Sequence, residues 1–231
     1  MDFIWIDLTS PAFITPFLLT LKVSGLAVVF SLVLGVAAAF LLTRRPFPGR
    51  DLLDALCTLP LVMPPTVLGY YILVLVGRRG FIGQWLQDSF GISLMFTWQG
   101  ATIAATVVAF PLVFKSARAA LEGVGSRYED AARTLGQNEL SVFLRVSLPL
   151  AFRGIISGGM LAFARAMGEF GATLMIAGNL PGRTQTLSLA VYSAVQAGND
   201  ALANTLVLII SIVCVVILVI TGKLLQPKFR Q

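Results

Sequence analysis

Apolar residues gather in five long runs along this chain, separated by shorter stretches that hold most of the charge. Thr20–Leu42 is interrupted only by Lys22, close to one end. Ala55–Val76 and Thr97–Phe114 carry no charge, Gly154–Leu180 contains Arg165 and Glu169, and Ala201–Gly222 is the most purely aliphatic. A helix needs roughly 20 apolar residues to cross about 30 Å of hydrocarbon, so the pattern predicts five membrane-spanning helices. Lys22 sits where its long stem can carry the ammonium to the headgroups. Two further segments are too polar or too short to span. Thr184–Asn199 carries Thr, Gln, Ser and Asn throughout and is expected as a partly buried or re-entrant helix. Phe81–Leu86 spaces its apolar residues for an amphipathic helix at the outer interface.

Composition agrees. Of 231 residues, 57% are hydrophobic and 12% charged, with a mean hydropathy of +0.86. A small water-soluble domain cannot hide that much apolar surface, because much of any small domain stays exposed. The net charge of +6 reflects where the bases lie and does not point to nucleic acid. Arg44, Arg45 and Arg50, then Lys115, Arg118, Arg127, Arg133, Arg145 and Arg153, then Lys223, Lys228 and Arg230 fall on one side of the five spans. Only Arg78, Arg79 and Arg183 fall on the other. Lys and Arg gather on the cytoplasmic side of inner membranes, so the N-terminus is expected outside and the C-terminus inside. Met1–Asp7 carries two acids and no base, which is no signal-peptide n-region, so the first run is expected to stay as an anchor.

Helix breakers lie within the runs. Pro60, Pro64 and Pro65 interrupt the second and Pro111 the third, and freed carbonyls in lipid must face protein or a polar path. Gly154, Gly158, Gly159, Gly168 and Gly171 in the fourth permit close helix approach. Arg165 and Glu169, four apart, fall on one helix face, either as a self-neutralising structural pair or beside a translocation path.

Catalytic chemistry is missing from the sequence. There is no histidine, no phosphate-cradling G-x-x-x-x-G-K-[ST] loop and no nucleophile elbow, so no enzyme activity, metal or cofactor is expected. Cys57 and Cys214 lie in apolar runs and are expected as small buried hydrophobes. No internal repeat suggests an inverted-repeat carrier.

The most specific pattern is Tyr128-Glu-Asp-Ala-Ala-Arg-Thr-Leu-Gly136 followed by Val146-Ser-Leu-Pro149. It resembles the EAA loop of ABC importer permeases, with Asp130, Ala131, Ala132, Gly136, Val146, Leu148 and Pro149 in register. Asp130 stands where that family has Glu, with Glu129 just before it. Small-sided Ala131 and Ala132 suit a helix that enters a partner's groove, and Gly136 suits the left-handed turn that ends it. Leu148-Pro149 is expected to turn the chain back toward the bilayer. Gly77-Arg-Arg-Gly-Phe-Ile-Gly83, Phe163–Thr173 and Pro181–Thr186 are similar to the molybdate branch of these permeases, with sulfate, thiosulfate and tungstate as related alternatives.

The resemblance implies an all-α type I importer (MetI-like) fold in one permease domain over 1–231, with a core at 20–225 and a coupling loop near 115–153. It implies a second copy of the chain, two ATPase subunits that supply the energy, and an extracytoplasmic binding protein that delivers molybdate. ATPase coupling then falls to Glu129, Asp130, Ala131, Ala132, Gly136, Leu148 and Pro149. Candidates for the path are Pro64, Pro65, Arg165, Glu169 and Thr173. Arg78 and Arg79, which break the charge rule, are candidates for docking the binding protein, with a contact to Asp88 or a positive mouth as alternatives. A stand-alone channel or carrier would leave the matched cytoplasmic loop without a role.

Overall fold

In the computed structural model, residues 10–44 and 47–225 are described, and all their regular structure is helical. Met1–Asp7, Arg45, Lys228 and Arg230, used above for orientation, lie outside them.

The first apolar run is part of α1, Pro11–Arg44, a 34-residue helix that begins nine residues before it. Pro11 starts the helix where a missing N–H costs nothing. At 1.5 Å per residue α1 is about 51 Å long, more than a bilayer's hydrocarbon, so it must tilt or project. The second run is not one helix. It divides into α2, Arg50–Val62, and α3, Pro65–Val76, bent 115° apart. Pro64 and Pro65 lack the N–H groups that would continue the ladder, and Met63 is extended at ψ 142°. The amphipathic segment is α4, Phe81–Phe90, with Phe81 and Trp85 exposed.

The third run is α5, Trp98–Glu122. It starts at Thr97, whose hydroxyl accepts from the Gly100 N–H at 3.2 Å, and continues through Pro111 and beyond the apolar run by eight residues. The chain turns into α6, Ser126–Thr134, and then α7, Glu139–Val142. From there a π-turn over Phe143–Ser147 leads directly into α8, Leu148–Met167. Leu148-Pro149 therefore does not turn the chain. It lies inside one 29-residue rod, Glu139–Met167. Proline cannot bond four residues back and its ring crowds that carbonyl, and the wider π-turn just upstream, closed by Leu148 N–H to the Phe143 carbonyl, makes room.

The fourth run also breaks. α8 stops at Met167 and α9, Gly171–Ala177, follows after three residues. Next come α10, Leu187–Gln196, and α11, Asp200–Leu225. Ten-residue α10 reaches about 15 Å, too short to span, and is partly buried as its polar pattern predicts. Among the described residues four helices are long and apolar enough to cross a membrane, or five with α2 and α3 taken as one broken span. That pair does run the length of α5. Asp54 near its start bonds Lys115 and Arg118, and Leu73 to Arg79 near its end share a recess with Met95 and Phe96.

Helix α5 is the hub, packed against α1, α2, α8 and α9. Its contact face is small: Ala101, Ala104, Ala105, Ala109 and Ala117 are fully buried. Across from it a Cβ on Gly154 would lie 2.6 Å from Ala120 Cβ, and one on Gly158 2.4 Å from Ser116 Cβ. Lipid tails are as apolar as leucine, so close backbone approach is what holds such helices together. Gly168 is different: nothing lies within 3.8 Å of its Cβ position, and it ends α8 instead. Cys57 and Cys214 are free and half-buried, less sheltered than their apolar settings suggest.

Candidate coupling and translocation site

The cytoplasmic element is built around α6. Gly136 has φ 79°, in the left-handed region. Its N–H bonds the Arg133 carbonyl at 2.9 Å, and the Gln137 N–H bonds Ala132 at 3.2 Å. These two bonds close a Schellman motif. Asn138 then caps the rod, accepting from Ser141 N–H at 2.8 Å. With only Gly136 and Gln137 between the cap residues, the direction of α6 depends on that single left-handed turn.

Arg133 ties the corner together. Its Nε donates to Glu139 at 2.8 Å, Nη1 to Asp130 at 2.7 Å and Nη2 to Glu129 at 3.2 Å. Bonding to Glu139, and then to Asp130, holds its charge more firmly than in a free arginine. Glu129 also reaches into the rod, where Ser147 Oγ donates to Glu129 Oε1 at 2.5 Å. Ser147 is 1% exposed, on the π-turn. The outer face of α6 presents Tyr128, Ala131 and Leu135 at helical spacing, all exposed, while Ala132 is half-buried. Leu148 and Pro149 follow the π-turn and do not touch this face as part of a turn.

The second locus is the break between α8 and α9. Glu169 lies just past the end of α8, so Arg165 and Glu169 do not share a helix, yet they pair at 2.8 Å. The other carboxylate oxygen accepts from the Ala172 N–H at 2.9 Å and caps the first turn of α9. Glu169 is 2% exposed and the Arg165 side chain 34%. The freed Met167 carbonyl accepts from Ser188 Oγ at 3.0 Å, so α10 satisfies what the break exposes. This break meets the other one: a Cβ on Gly171 would lie 3.0 Å from Pro65 Cβ. Pro65, Glu169 and Arg165 are thus gathered around one junction of two interrupted helices. Thr173 is buried in the first turn of α9, and Pro64, the N-cap of α3, is exposed.

Arg78 and Arg79 lie apart from both loci, exposed on the turn between α3 and α4 at the rim of a recess of about 540 Å³. Among the described residues neither forms an ion pair with Asp88, so that alternative is not formed. The surrounding glycines have a packing reason. A Cβ on Gly80 would lie 2.3 Å from the Val74 carbonyl oxygen, and one on Gly83 2.0 Å from that of Gly77.

Sequence reasoning missed three groups. Asp54 accepts from Lys115 at 2.7 Å and from Arg118, and Glu122 accepts from Arg118 at 2.9 Å and Arg50 at 3.4 Å. The signal was available: Asp54 borders one apolar run while Lys115 and Arg118 close another, a complementary set at one membrane face. Ser147, at the unspecified position of Val-Ser-Leu-Pro, offered none.

Residues 31–231 match the family described as the binding-protein-dependent transport system inner membrane component. The chain belongs to that family. It is 49% identical over 214 residues to the molybdenum transport system permease protein ModB of Escherichia coli (strain K12), covering 93% of each chain. It is 36% identical over 227 residues to the sulfate transport system permease protein CysT of Salmonella typhimurium, covering 98% of this chain and 81% of that one. The fold is also that of the methionine ABC transporter MetNI in an inward-facing form, at a TM-score of 0.72 and 18% identity over 94% of this chain and 96% of that one. The permease is therefore a multi-pass inner-membrane component, all-helical with a MetI-like fold.

Proposed function

We propose that this permease carries molybdate inward as the membrane subunit of an ATP-driven importer, two copies forming the path and two ATPase subunits binding α6. The observation that carries the substrate is near-half identity to a molybdenum permease over 93% of both chains, against 36% to a sulfate permease. What supports the coupling is the corner around α6. An exposed Tyr128–Ala131–Leu135 stripe is available to a partner, and Asp130 lies beside it. Force on that stripe passes through the Glu129–Ser147 bond and the Gly136 turn into a continuous rod. The far end of the rod is the Arg165–Glu169 junction, where α3 meets α9. Tilting the rod would move two helix ends against each other. The ion pair there is neutral overall, so a passing oxyanion meets no deep electrostatic trap. Arg78 and Arg79 fit docking of an extracytoplasmic binding protein.

The test is reconstitution with the ATPase and binding-protein partners in liposomes, measuring ATP-dependent molybdenum accumulation by elemental analysis with sulfate, thiosulfate and tungstate as competitors. Molybdate uptake that excess sulfate leaves intact is expected. Uptake of sulfate in preference would favour the second reading, which the 36% relative supports. Transport without any ATPase would mean a stand-alone carrier.

A further inference from the structure

Between α1 and α5 runs an open groove of about 630 Å³, walled by Leu26, Phe30 and Leu34 on one side and Ile103, Thr106 and Val107 on the other. Its threonines add no polarity. Thr102 and Thr106 turn their hydroxyls back to the carbonyls of Trp98 at 3.0 Å and Thr102 at 2.7 Å, leaving methyl groups for the groove. Lys22 precedes Leu26, Phe30 and Leu34 at steps of four, so all four lie along one face of α1 with Lys22 at the head. The ammonium stands 3.5 Å from the centroid of the Trp98 ring, and among the described residues no carboxylate pairs with it. A cation over an aromatic face keeps donors free for a further partner.

The dimensions fit one occupant. From Lys22 to Leu34 is twelve residues, about 18 Å of helix, close to the roughly 15 Å depth of one leaflet's hydrocarbon. This head lies at the end of α5 opposite the Asp54–Arg118 cluster, hence at the outer face. We propose that the α1–α5 groove is a binding site for one acyl chain of an outer-leaflet anionic phospholipid, its phosphate held by Lys22 above the Trp98 ring. A bare apolar face would take any chain, and the lysine adds headgroup selectivity. One basic residue near anionic lipid confers about a fivefold preference, reduced by salt.

The full chain in bilayers would be photolabelled with phosphatidylglycerol or phosphatidylcholine carrying a diazirine at the acyl terminus, and adducts mapped by peptide mass spectrometry. Adducts should concentrate near Leu34, Thr106 and Val107, about fivefold stronger from phosphatidylglycerol. Lys22→Gln should abolish that difference while leaving phosphatidylcholine labelling unchanged, and Thr106→Leu should reduce both by filling the groove. If Thr106→Leu fails to insert, Leu26→Phe tests the same point from α1. Adducts spread evenly over the exposed faces of α1 and α11, or a headgroup preference that survives Lys22→Gln, would overturn the proposal. So would absent adducts with disulfides forming between copies bearing Phe30→Cys and Val107→Cys, because a second copy would then cover the groove.

Discussion

The same chemical pair, Arg with Glu, stands beside each end of the rod in opposite surroundings: on α6 at one end and just past α8 at the other. At the inner end Arg133 bonds Glu129, four residues before it, with the arginine side chain 36% and the glutamate 19% exposed. At the membrane end Arg165 bonds Glu169, four residues after it, with the glutamate 2% exposed. Exposed pairs gain little, since water and salt serve each charge nearly as well, whereas removing one partner of a buried pair strands the other. The inner pair is backed by two more acids and a buried serine, and the outer one by a single backbone N–H. One end is redundant and adjustable, the other depends on a single partner.

The largest effect should come from Arg165→Ala. With Glu169 left in low dielectric, about 3 kcal/mol of stability should be lost. Arg165→Ala with Glu169→Ala together should be milder, and thermal unfolding in detergent, read beside uptake, measures both. If the single variant matches the parent, the junction is wet and the contrast fails.

Next is Gly136→Val. Nothing lies within 4 Å of its Cβ position, so the penalty is conformational, roughly 1–2 kcal/mol for a left-handed residue. Uptake and ATPase association should fall while insertion is normal, and Gly136→Asn should retain most of both because asparagine tolerates this conformation. Equal activity in Gly136→Val would remove the turn from the coupling route.

Ser147→Ala should be smaller for stability, about 1 kcal/mol, and specific in kind. ATP hydrolysis should continue with less molybdate carried per ATP, and Glu129→Gln, which keeps an acceptor for Ser147, should stay closer to the parent. A Ser147→Ala variant with an unchanged transport ratio would show that the bond only packs the corner. Arg133→Ala should cost under about 1 kcal/mol and less at high salt. Least affected of all should be basal ATPase activity in Arg78→Gln with Arg79→Gln, where only stimulation by the binding protein should weaken. Full stimulation across all salt concentrations would leave the positive mouth as the remaining account.

What the sequence by itself determined is what depends on one residue type in one place. Partition into lipid follows from run length and apolarity, so five runs were legible, including the polar character that kept α10 from spanning. Backbone singularities were equally legible: Gly136 turns left-handed because only glycine does so freely, and Pro64-Pro65 stand where α2 ends. Even so, the size of that bend and the passage of Leu148-Pro149 through a π-turn depended on neighbours. Tertiary structure alone decided which faces meet. The most purely aliphatic of the long helices, α11, is barely buried within the chain, whereas the less apolar α5 is mostly buried. In water the most apolar face packs inward; in lipid that rule is silent, and small residues and hydrogen bonds choose the partners. Hence Glu129–Ser147, Asp54–Arg118 and the capping of α9 by Glu169 could not be read from periodicity. The first two join groups whose proximity exists only once separate helices have packed, α6 on the rod and α2 on α5, and the third depends on where α8 breaks off.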